Sequence, residues 1–458
     1  MTPGLATFGA TSDTSSRWDL ALAAAQPERV GTVRTVVGLA IEVAGLDCAV
    51  GGLVEIGEQT IPGRRAGTPG GTVLAEVVAT TRDLARCMPL SNVQGLRTGT
   101  PVRSLGRPMT APVGRGLLGR ILDGLGRPID GLGPLRATGQ VSVDSAAPGA
   151  LTRARITAPL SLGVKVMDTL TTVGRGQRLG LFAGSGVGKS SLLSMIARGT
   201  DAELTVISLV GERGREVREF IEDDLGPAGL ARSVVVVATS DEPALVRLRS
   251  AFLATRIAES FRDEGADVVL MMDSLTRVAM AQREIGLSVG EPPATRGYPP
   301  STFSLLARLL ERAGTGPTGS VTGLYTVLVD GDDHNEPIAD AARSILDGHI
   351  VLDRKLAVAG HFPSIDALAS ISRVAGRVTT PEQRHLSTVL RRVMAARRQA
   401  QDLLDVGAYA VGTNPLVDAA GTHADAIDHF LRQGMDQQVP AADSWQLLGQ
   451  LVARLGVS

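Results

Sequence analysis

The chain has 458 residues, of which 43% are hydrophobic and 20% are charged, and its formal net charge is −1. This length is too great for one hydrophobic core and predicts two or three domains. The composition excludes a disordered or fibrous chain, and the near-neutral charge gives no support for bulk nucleic acid as the main partner.

The cysteines and the N-terminus indicate a cytoplasmic protein. Cys48 and Cys87 lie far apart and form no CxxC pair, which is typical of a reduced compartment. The first residues, MTPGLATFGA, lack the basic and apolar segments of a signal peptide, and no stretch reaches the roughly eighteen apolar residues of a membrane span. We therefore expect any membrane contact to be peripheral.

The N-terminal part changes character near residue 28. Residues 1–27 begin with small residues, GATSDTSS, and are predicted to form a flexible extension. Residues 28–100 contain short β-rich runs, VGTVRTVVGLAIEV, GGLVEIG and TVLAEVVAT, separated by Gly and Pro clusters. This pattern predicts a small β-barrel domain.

Residues 101–378 alternate strand-like and helix-like segments and are predicted to form the second domain. The continuous apolar runs RLGLFAG, LTVISLV, SVVVVAT, DVVLMMD and LYTVLV are typical of a parallel sheet that is covered on both faces. Stretches such as KSSLLSMIARG lie between them and have helical character. The alternation predicts an α/β core.

Residues 379–458 are predicted to form a C-terminal helical domain. Thr380, Pro381 and Gln383 give a helix start with an N-cap, a proline at the first position and a capping box. Apolar residues then recur at intervals of three and four, which predicts an amphipathic helix.

The segment AGSGVGKS, between the run RLGLF and the helical stretch SSLLSMIAR, has the pattern and the context of a P-loop. Its glycines let backbone N–H groups surround phosphate oxygens, and the helix N-terminus favours an anion. Lys189 can reach the β- and γ-phosphates, and the Ser190 hydroxyl can ligate Mg²⁺. The predicted ATP-binding residues of this segment are Gly184, Ser185, Gly186, Val187, Gly188, Lys189, Ser190 and Ser191.

Two acidic residues complete the predicted site. Asp273 ends the apolar run DVVLMMD, which places a carboxylate at the carboxyl end of a buried strand, where it can hold Mg²⁺. The next residue, Ser274, is not acidic, so another group must orient the attacking water. Glu212 follows the strand LTVISLV and is the candidate, whereas Glu216 is interpreted as a surface residue.

Several longer stretches then identify a family by resemblance. GERGREVREFIE, MMDSLTRVAMAQREIGLSVGEPPATRGYPPS, GDDHNEPIADAARSILDGHIVL and GHFPSIDALASISRV resemble the catalytic subunits of rotary ATPases and the type III protein-export ATPases, the flagellar branch above all. The resemblance covers the chain from about residue 28 to its end. It implies a RecA-like P-loop core between the barrel and the helical domain, and ATP hydrolysis with Mg²⁺.

The resemblance also implies roles for individual residues. Arg213 and Arg277 would contact the γ-phosphate, and Arg373 matches an arginine finger that reaches a neighbouring subunit's nucleotide. Phe362 matches an aromatic residue that stacks on adenine. Residues 290–301 match a loop that faces the central stalk. From the residues alone, Phe362 could equally lie in the core and Arg373 could be one of many surface arginines.

The implied biology is a homo-hexameric motor at the inner face of the cell membrane. Its implied partners are a central-stalk export protein, a regulatory stator protein at the N-terminus and complexes of export chaperones with cargo. Nucleic acid is not among them.

Three alternatives to flagellar protein export remain. The related ATPase of virulence injectisomes is the nearest, and the chemistry of the site does not separate the two. A proton-coupled ATP synthase catalytic subunit is disfavoured because the chain lacks the acidic motif DELSEED, and Glu212 disfavours a non-catalytic subunit. An RNA translocase is disfavoured because the barrel region has no aromatic residues clustered among basic ones.

Overall fold

The computed structural model of the chain describes residues 29–57, 72–136, 139–329 and 336–457. The chain divides into two compact units, Met1–Arg107 and Pro108–Ser458. The predicted extension, residues 1–27, lies outside the described ranges. Within those ranges, no helix has both the length and the apolar character that crossing a bilayer requires.

The first unit contains the predicted β-barrel. Its strands are β1 (Val30–Val37), β2 (Ala40–Ala44), β3 (Gly52–Ile56), β4 (Val73–Thr80), β5 (Leu84–Pro89) and β6 (Pro101–Pro108). They close in the order β1-β2-β5-β4-β3-β6, and apolar side chains such as Val33, Val43 and Val54 fill the interior. The sequence pattern placed the end of this domain at residue 100. Strand β6, which pairs with β1 and closes the barrel, follows that residue.

The second unit is built on a mostly parallel sheet, as predicted. Its strands are β7 (Thr110–Val113), β8 (Ile121–Asp123), β9 (Gly139–Ser142), β10 (Pro159–Leu160), β11 (Val173–Gly174), β12 (Arg178–Ala183), β13 (Leu204–Glu212), β14 (Ser233–Thr239), β15 (Asp267–Asp273), β16 (Gly314–Thr315), β17 (Ser320–Leu328), β18 (Gly348–Val351) and β19 (Ile371–Ser372).

The large sheet has the order β19-β18-β12-β17-β15-β13-β14-β8. The strands from β18 to β8 run parallel, and β19 pairs antiparallel with β18 at the edge. Because parallel strands end at one common edge, β12, β15 and β13 bring the P-loop, Asp273 and Glu212 to the same side of the sheet.

Helices pack around this sheet and continue to the C-terminus. They are α1 (Lys165–Leu170), α2 (Lys189–Gly199), α3 (Gly214–Glu219), α4 (Gly226–Ala231), α5 (Ala244–Asp263), α6 (Leu275–Ser288), α7 (Pro300–Leu310), α8 (Pro337–Ile345), α9 (Arg354–Val358), α10 (Ala375–Val378), α11 (Pro381–Gln399), α12 (Gln401–Asp405), α13 (Pro415–Thr422), α14 (Ala424–Leu431) and α15 (Ala441–Leu455). A π-helical turn, Phe220–Leu225, connects α3 and α4, and 3-10 turns occur at Arg115–Leu117 and Thr295–Gly297.

The C-terminal helices begin as the sequence predicts. Thr380 accepts a hydrogen bond from the backbone N–H of Gln383, whose side chain accepts one from the Thr380 N–H, so the capping box at the start of α11 is confirmed. Apolar residues of α11, α14 and α15 join one hydrophobic core with α2 and the sheet. The helical region is therefore stabilised by burial against the α/β core.

A buried ion pair lies inside the second unit. Arg312 and Glu259 have side chains that are each 1% exposed, and the guanidinium donates two hydrogen bonds of 2.7 Å to the carboxylate. Arg312 also donates to the Val143 carbonyl oxygen and lies over the Phe252 ring. The ion pair and its hydrogen bonds offset the free-energy cost of removing both charges from water.

We predict that Arg312→Ala lowers the free energy of unfolding of the second unit by about 3 kcal/mol, because the buried Glu259 carboxylate would lose its two short hydrogen bonds and retain Arg256 Nη1, at 3.3 Å, as an ion-pair partner. Urea denaturation followed by circular dichroism measures this change. The matched control is Arg308→Ala, which removes an exposed guanidinium from the same Phe252 ring and should cost under about 1 kcal/mol. Equal losses in the two variants would contradict this account of the pair.

Candidate functional site

The P-loop lies between strand β12 and helix α2. Gly186 and Gly188 have φ angles of 74° and 88°, in the left-handed region that favours glycine. Gly188 is the N-cap of α2, and among the described residues no side chain caps this helix start. Free N–H groups and the positive end of the helix dipole therefore face the open side of the loop, where a phosphate group can bind.

Lys189 is paired with the acid at the end of β15. Its Nζ lies 2.6 Å from Asp273 Oδ1 and 3.6 Å from Glu212 Oε1. Burial opposes the charge on Lys189, but the two carboxylates more than offset it, so the pKa of the ammonium group is raised above its ordinary value. Lys189 is thus a permanent cation that a phosphate can attract away from Asp273.

Glu212 is aimed into the site by an irregularity in β13. The pairing of β13 with β14 shifts register between Val210 and Glu212, and the intervening Gly211 has a φ of 70°. Such a bulge redirects the side chain that follows it. A Cβ on Gly211 would lie 3.1 Å from the side chain of Arg277, so glycine also leaves room for that arginine.

Burial raises the pKa of Glu212, and the neighbouring Asp273 adds to this effect, while Lys189 opposes it. Glu212 Oε1 is buried and has no hydrogen-bond partner among the described residues. The carboxylate therefore has an unused acceptor, and its raised pKa makes it a better base than an exposed glutamate would be.

Ser274, which follows Asp273, has a structural role. Its side chain accepts a hydrogen bond from the Arg277 backbone N–H and caps helix α6. The cap directs the first turn of α6 toward the P-loop. Arg277 Nε is buried without a hydrogen-bond partner in the described part of the chain, which is an open donor for an anion.

These groups line one cavity of about 570 Å³. Its walls include the predicted residues Gly184, Ser185, Gly186, Gly188, Lys189, Ser190, Ser191, Glu212, Arg213, Asp273 and Arg277. Val187 lies in the same loop but is buried beneath it. The structure therefore brings together the phosphate cradle, the acids and two arginines.

The residues around this cavity fit Mg²⁺ held together with a nucleotide. Ser190 is exposed at the start of α2, and Asp273 supplies a buried carboxylate whose Oδ1 accepts from Lys189 and from Thr326 Oγ1. In the described ranges, no group of three or more His, Cys, Asp or Glu side chains could hold a metal alone. That is expected of Mg²⁺, which usually takes one or two protein ligands besides phosphate oxygens and water.

Besides Val187, two predicted residues lie outside the cavity lining. Arg373 is exposed after β19, and its Nη2 donates a 3.4 Å hydrogen bond to the Arg343 carbonyl oxygen. Phe362 is 46% exposed, and its ring lies against Gly188, where a Cβ would meet two ring carbons at 3.4 Å. Arg213 is on the cavity rim and is paired with Glu216 at 3.3 Å.

Comparison with known proteins is consistent with this geometry. Residues 163–372 match the nucleotide-binding domain of the ATP synthase alpha/beta family, and residues 379–450 match the C-terminal domain of the type III secretion ATPase EscN. The flagellum-specific ATP synthase of Bacillus subtilis is 47% identical, over 93% of this chain and 95% of that protein. This chain belongs to the flagellar and type III secretion ATPases.

Other relatives of this ATPase come from both branches. The type 3 secretion system ATPase of Xanthomonas euvesicatoria is 48% identical, over 92% of this chain and 93% of that protein. The solved structure of assembled EscN from enteropathogenic E. coli has a TM-score of 0.84 at 40% identity and covers 92% of this chain and 100% of that one. Identities of 47% and 48% do not separate flagellar from injectisome relatives.

The sequence pattern missed two residues that shape the site of the ATPase. Thr326 is buried in β17, and its hydroxyl donates a 2.7 Å hydrogen bond to Asp273 Oδ1. Ser364 is also buried, and its hydroxyl donates a 2.6 Å hydrogen bond to the Val187 carbonyl oxygen beneath the P-loop. Thr326 could have been noticed because it is a hydroxyl residue inside the apolar run LYTVLV, whereas no sequence pattern distinguishes Ser364.

We predict that Glu212→Gln retains ATP binding and lowers kcat by roughly two to four orders of magnitude, because an amide cannot accept a proton from water. Steady-state hydrolysis and equilibrium nucleotide binding measure the two effects. Glu216→Gln is the matched control, since Glu216 lies on the same cavity but is 40% exposed and paired with Arg213. Near-normal turnover of the Glu212 variant would assign the base to another residue.

Proposed function

We propose that this ATPase hydrolyses Mg·ATP as a subunit of a six-membered ring and thereby drives or assists export of flagellar proteins through a type III secretion apparatus. The observation that carries the proposal is the convergence of Lys189, Asp273 and Glu212 on one cavity beside a free helix N-terminus. That arrangement supplies a phosphate cradle, a metal-side acid and a base.

Different residues of the cavity have different roles in hydrolysis. Backbone N–H groups of the P-loop bind the β-phosphate, and Lys189 moves from Asp273 to the β- and γ-oxygens. Glu212 orients a water toward the γ-phosphorus and accepts its proton, and Arg277 and Arg213 stabilise negative charge on the γ-phosphate. Ser190 and Asp273 would hold Mg²⁺, which neutralises phosphate charge when it is bound.

Phe362 supplies the adenine side of the site. A half-exposed phenyl ring that rests on Gly188 offers one free face next to the loop that cradles the phosphates. Stacking on such a ring suits a purine base. Phe362 is thereby distinguished from a core residue, which would be buried.

Arg373 completes the site of a neighbouring subunit. Its exposed guanidinium lies away from the cavity of its own chain, and a long hydrogen bond to Arg343 is easily given up. Support for a ring comes from the solved relative EscN, which is described as assembled and in complex with its central stalk EscO. Residues 290–301 would meet a comparable stalk in this protein.

The flagellar branch is favoured by the segments MAQREIGLSVGEPPAT and ALASISRVAG. The further partners of this proposal are chaperone–cargo complexes and a regulatory stator protein at the N-terminus. The proposed location is the cytoplasmic face of the membrane at the export apparatus, with peripheral contact only.

We predict that a mixture of Lys189→Ala and Arg373→Ala regains ATPase activity that neither variant has alone. Mixed rings contain some interfaces with an intact P-loop on one side and an intact finger on the other, and a finger typically contributes 10³–10⁵ in kcat. Specific activity of the wild type should also rise with protein concentration. No recovery in the mixture, with activity independent of concentration, would contradict an arginine supplied by a neighbour.

We predict that deletion of the gene abolishes flagellar filaments and secretion of their subunits while cellular ATP synthesis continues. Complementation with the wild type restores filaments, and Lys189→Ala does not, because it lacks the cation for the phosphates. Electron microscopy and assay of secreted protein measure the outcome. Intact filaments together with lost effector secretion would assign the protein to an injectisome instead.

A further inference from the structure

A short C-terminal segment, residues 428–436, holds the loop that bears Phe362; we name it the strap. The backbone N–H of Gln433 donates a 3.0 Å hydrogen bond to the Phe362 carbonyl oxygen. His361 Nδ1 lies 2.9 Å from Asp428 Oδ1, and Arg432 donates to the Gly360 carbonyl oxygen. Three consecutive residues of the loop are therefore tied to one turn of the C-terminal region.

The strap also reaches the elements beneath the nucleotide site. Gln433 is 4% exposed and uses its whole amide group: Oε1 accepts from the Lys165 N–H at 2.9 Å, and Nε2 donates to the Gly163 carbonyl oxygen at 2.7 Å. Arg198, in the last turn of the P-loop helix α2, binds Asp436 at 3.0 Å and the Met435 carbonyl oxygen at 2.8 Å. The strap is thus fixed to the far end of the helix that begins at the P-loop.

The Phe362 loop is held from its other side by the P-loop itself. Ser364 donates to the Val187 carbonyl oxygen, and the Phe362 ring rests on Gly188. A cavity of about 360 Å³ opens between Phe362 and the strap, with Lys165, His429, Arg432 and Gln433 in its walls. The ring therefore stands between two anchors, one on the phosphate side and one on the C-terminal side.

We infer that the strap positions Phe362 for ATP, with the Asp428 carboxylate as the positioning residue that holds His361 of the loop and orients Arg432 against the loop. The inference rests on the proposed function, because it takes Phe362 as the platform for adenine. Asp428 lines neither the cavity at the P-loop nor the cavity beside Phe362. Its carboxylate lies 2.9 Å from His361 Nδ1, which belongs to the loop, and 2.6 Å from Arg432 Nε, whose guanidinium also donates to the Gly360 carbonyl oxygen.

The shape of ATP explains why the Phe362 loop would need to be held in place by the strap. A base and a triphosphate bind together only when their two subsites keep a fixed separation. The P-loop is rigid because it joins β12 to α2, whereas the Phe362 side chain is half exposed and lies on a loop. Loss of the strap contacts frees the ring to move, which weakens ATP binding and leaves the groups at the γ-phosphate in place.

The test is a double-mutant cycle with Asp428→Ala and Phe362→Ala, assayed by ATP hydrolysis at a protein concentration that saturates ring assembly. Each single variant should raise KM for ATP by about three- to tenfold, with kcat within about twofold. The double variant should match Phe362→Ala alone, because Asp428 acts through the ring. Asp428→Asn, which keeps an acceptor for His361, should restore part of the affinity.

Asp425→Ala is the matched control, since Asp425 is an exposed acid on the same helix α14 and should leave KM unchanged. An unchanged KM in Phe362→Ala would overturn the adenine role and the inference with it. A raised KM in Phe362→Ala but not in Asp428→Ala would overturn the inference alone. Additive effects on KM, or a loss of kcat and thermal midpoint without a change in KM, would also overturn it. Should Asp428→Ala fold poorly, the cycle is run with Asp428→Asn, which should give a smaller rise in KM that disappears in the Phe362→Ala background; an unchanged KM in Asp428→Asn would then overturn the inference.

Discussion

The contact between Lys189 and Asp273, at 2.6 Å, is the interaction around which the nucleotide site is arranged. Both groups are largely buried, and an unpaired charge at such a depth would be costly. Each charge neutralises the other, and we propose that Lys189 leaves the pair only when a phosphate offers it a stronger partner. On the proposed function, the pairing that stabilises the two buried charges also keeps Lys189 within reach of the phosphates of ATP, and the hydrogen bond from Thr326 keeps the Asp273 carboxylate oriented.

Much of this arrangement could be predicted from the sequence because it depends on local patterns and on one rule of topology. The apolar runs became β12, β13, β14, β15 and β17, the P-loop helix begins at Lys189, and the capping box at Thr380 formed. The carboxyl ends of parallel strands share an edge of the sheet, so the sequence alone was enough to place Asp273 and Glu212 beside the P-loop. The α/β core and the preceding barrel followed from the same patterns.

The remainder depends on contacts that no local pattern contains. The bulge at Gly211 aims Glu212, yet a glycine after an apolar run has many other meanings. Ser364 meets Val187 across 177 positions of the chain, and Gln433 meets Gly163 across 270. Roles for Arg373 and Phe362 could be proposed only through resemblance, because the partners of the proposed contacts, a neighbouring subunit's nucleotide and an adenine base, are not part of the chain.

Apolar packing and hydrogen bonds both join the C-terminal helices to the nucleotide site, and the two interactions have different consequences. Apolar residues of α11, α14 and α15 share a core with α2, which provides stability but tolerates small shifts because burial has no preferred direction. The polar contacts of residues 428–436 are directional, and Gln433 satisfies all the groups it faces only in one position. Stability thus comes from the shared core, whereas we propose that the hydrogen bonds set the distance between Phe362 and the P-loop. On that proposal, a change in those bonds alters the affinity for ATP before it alters folding.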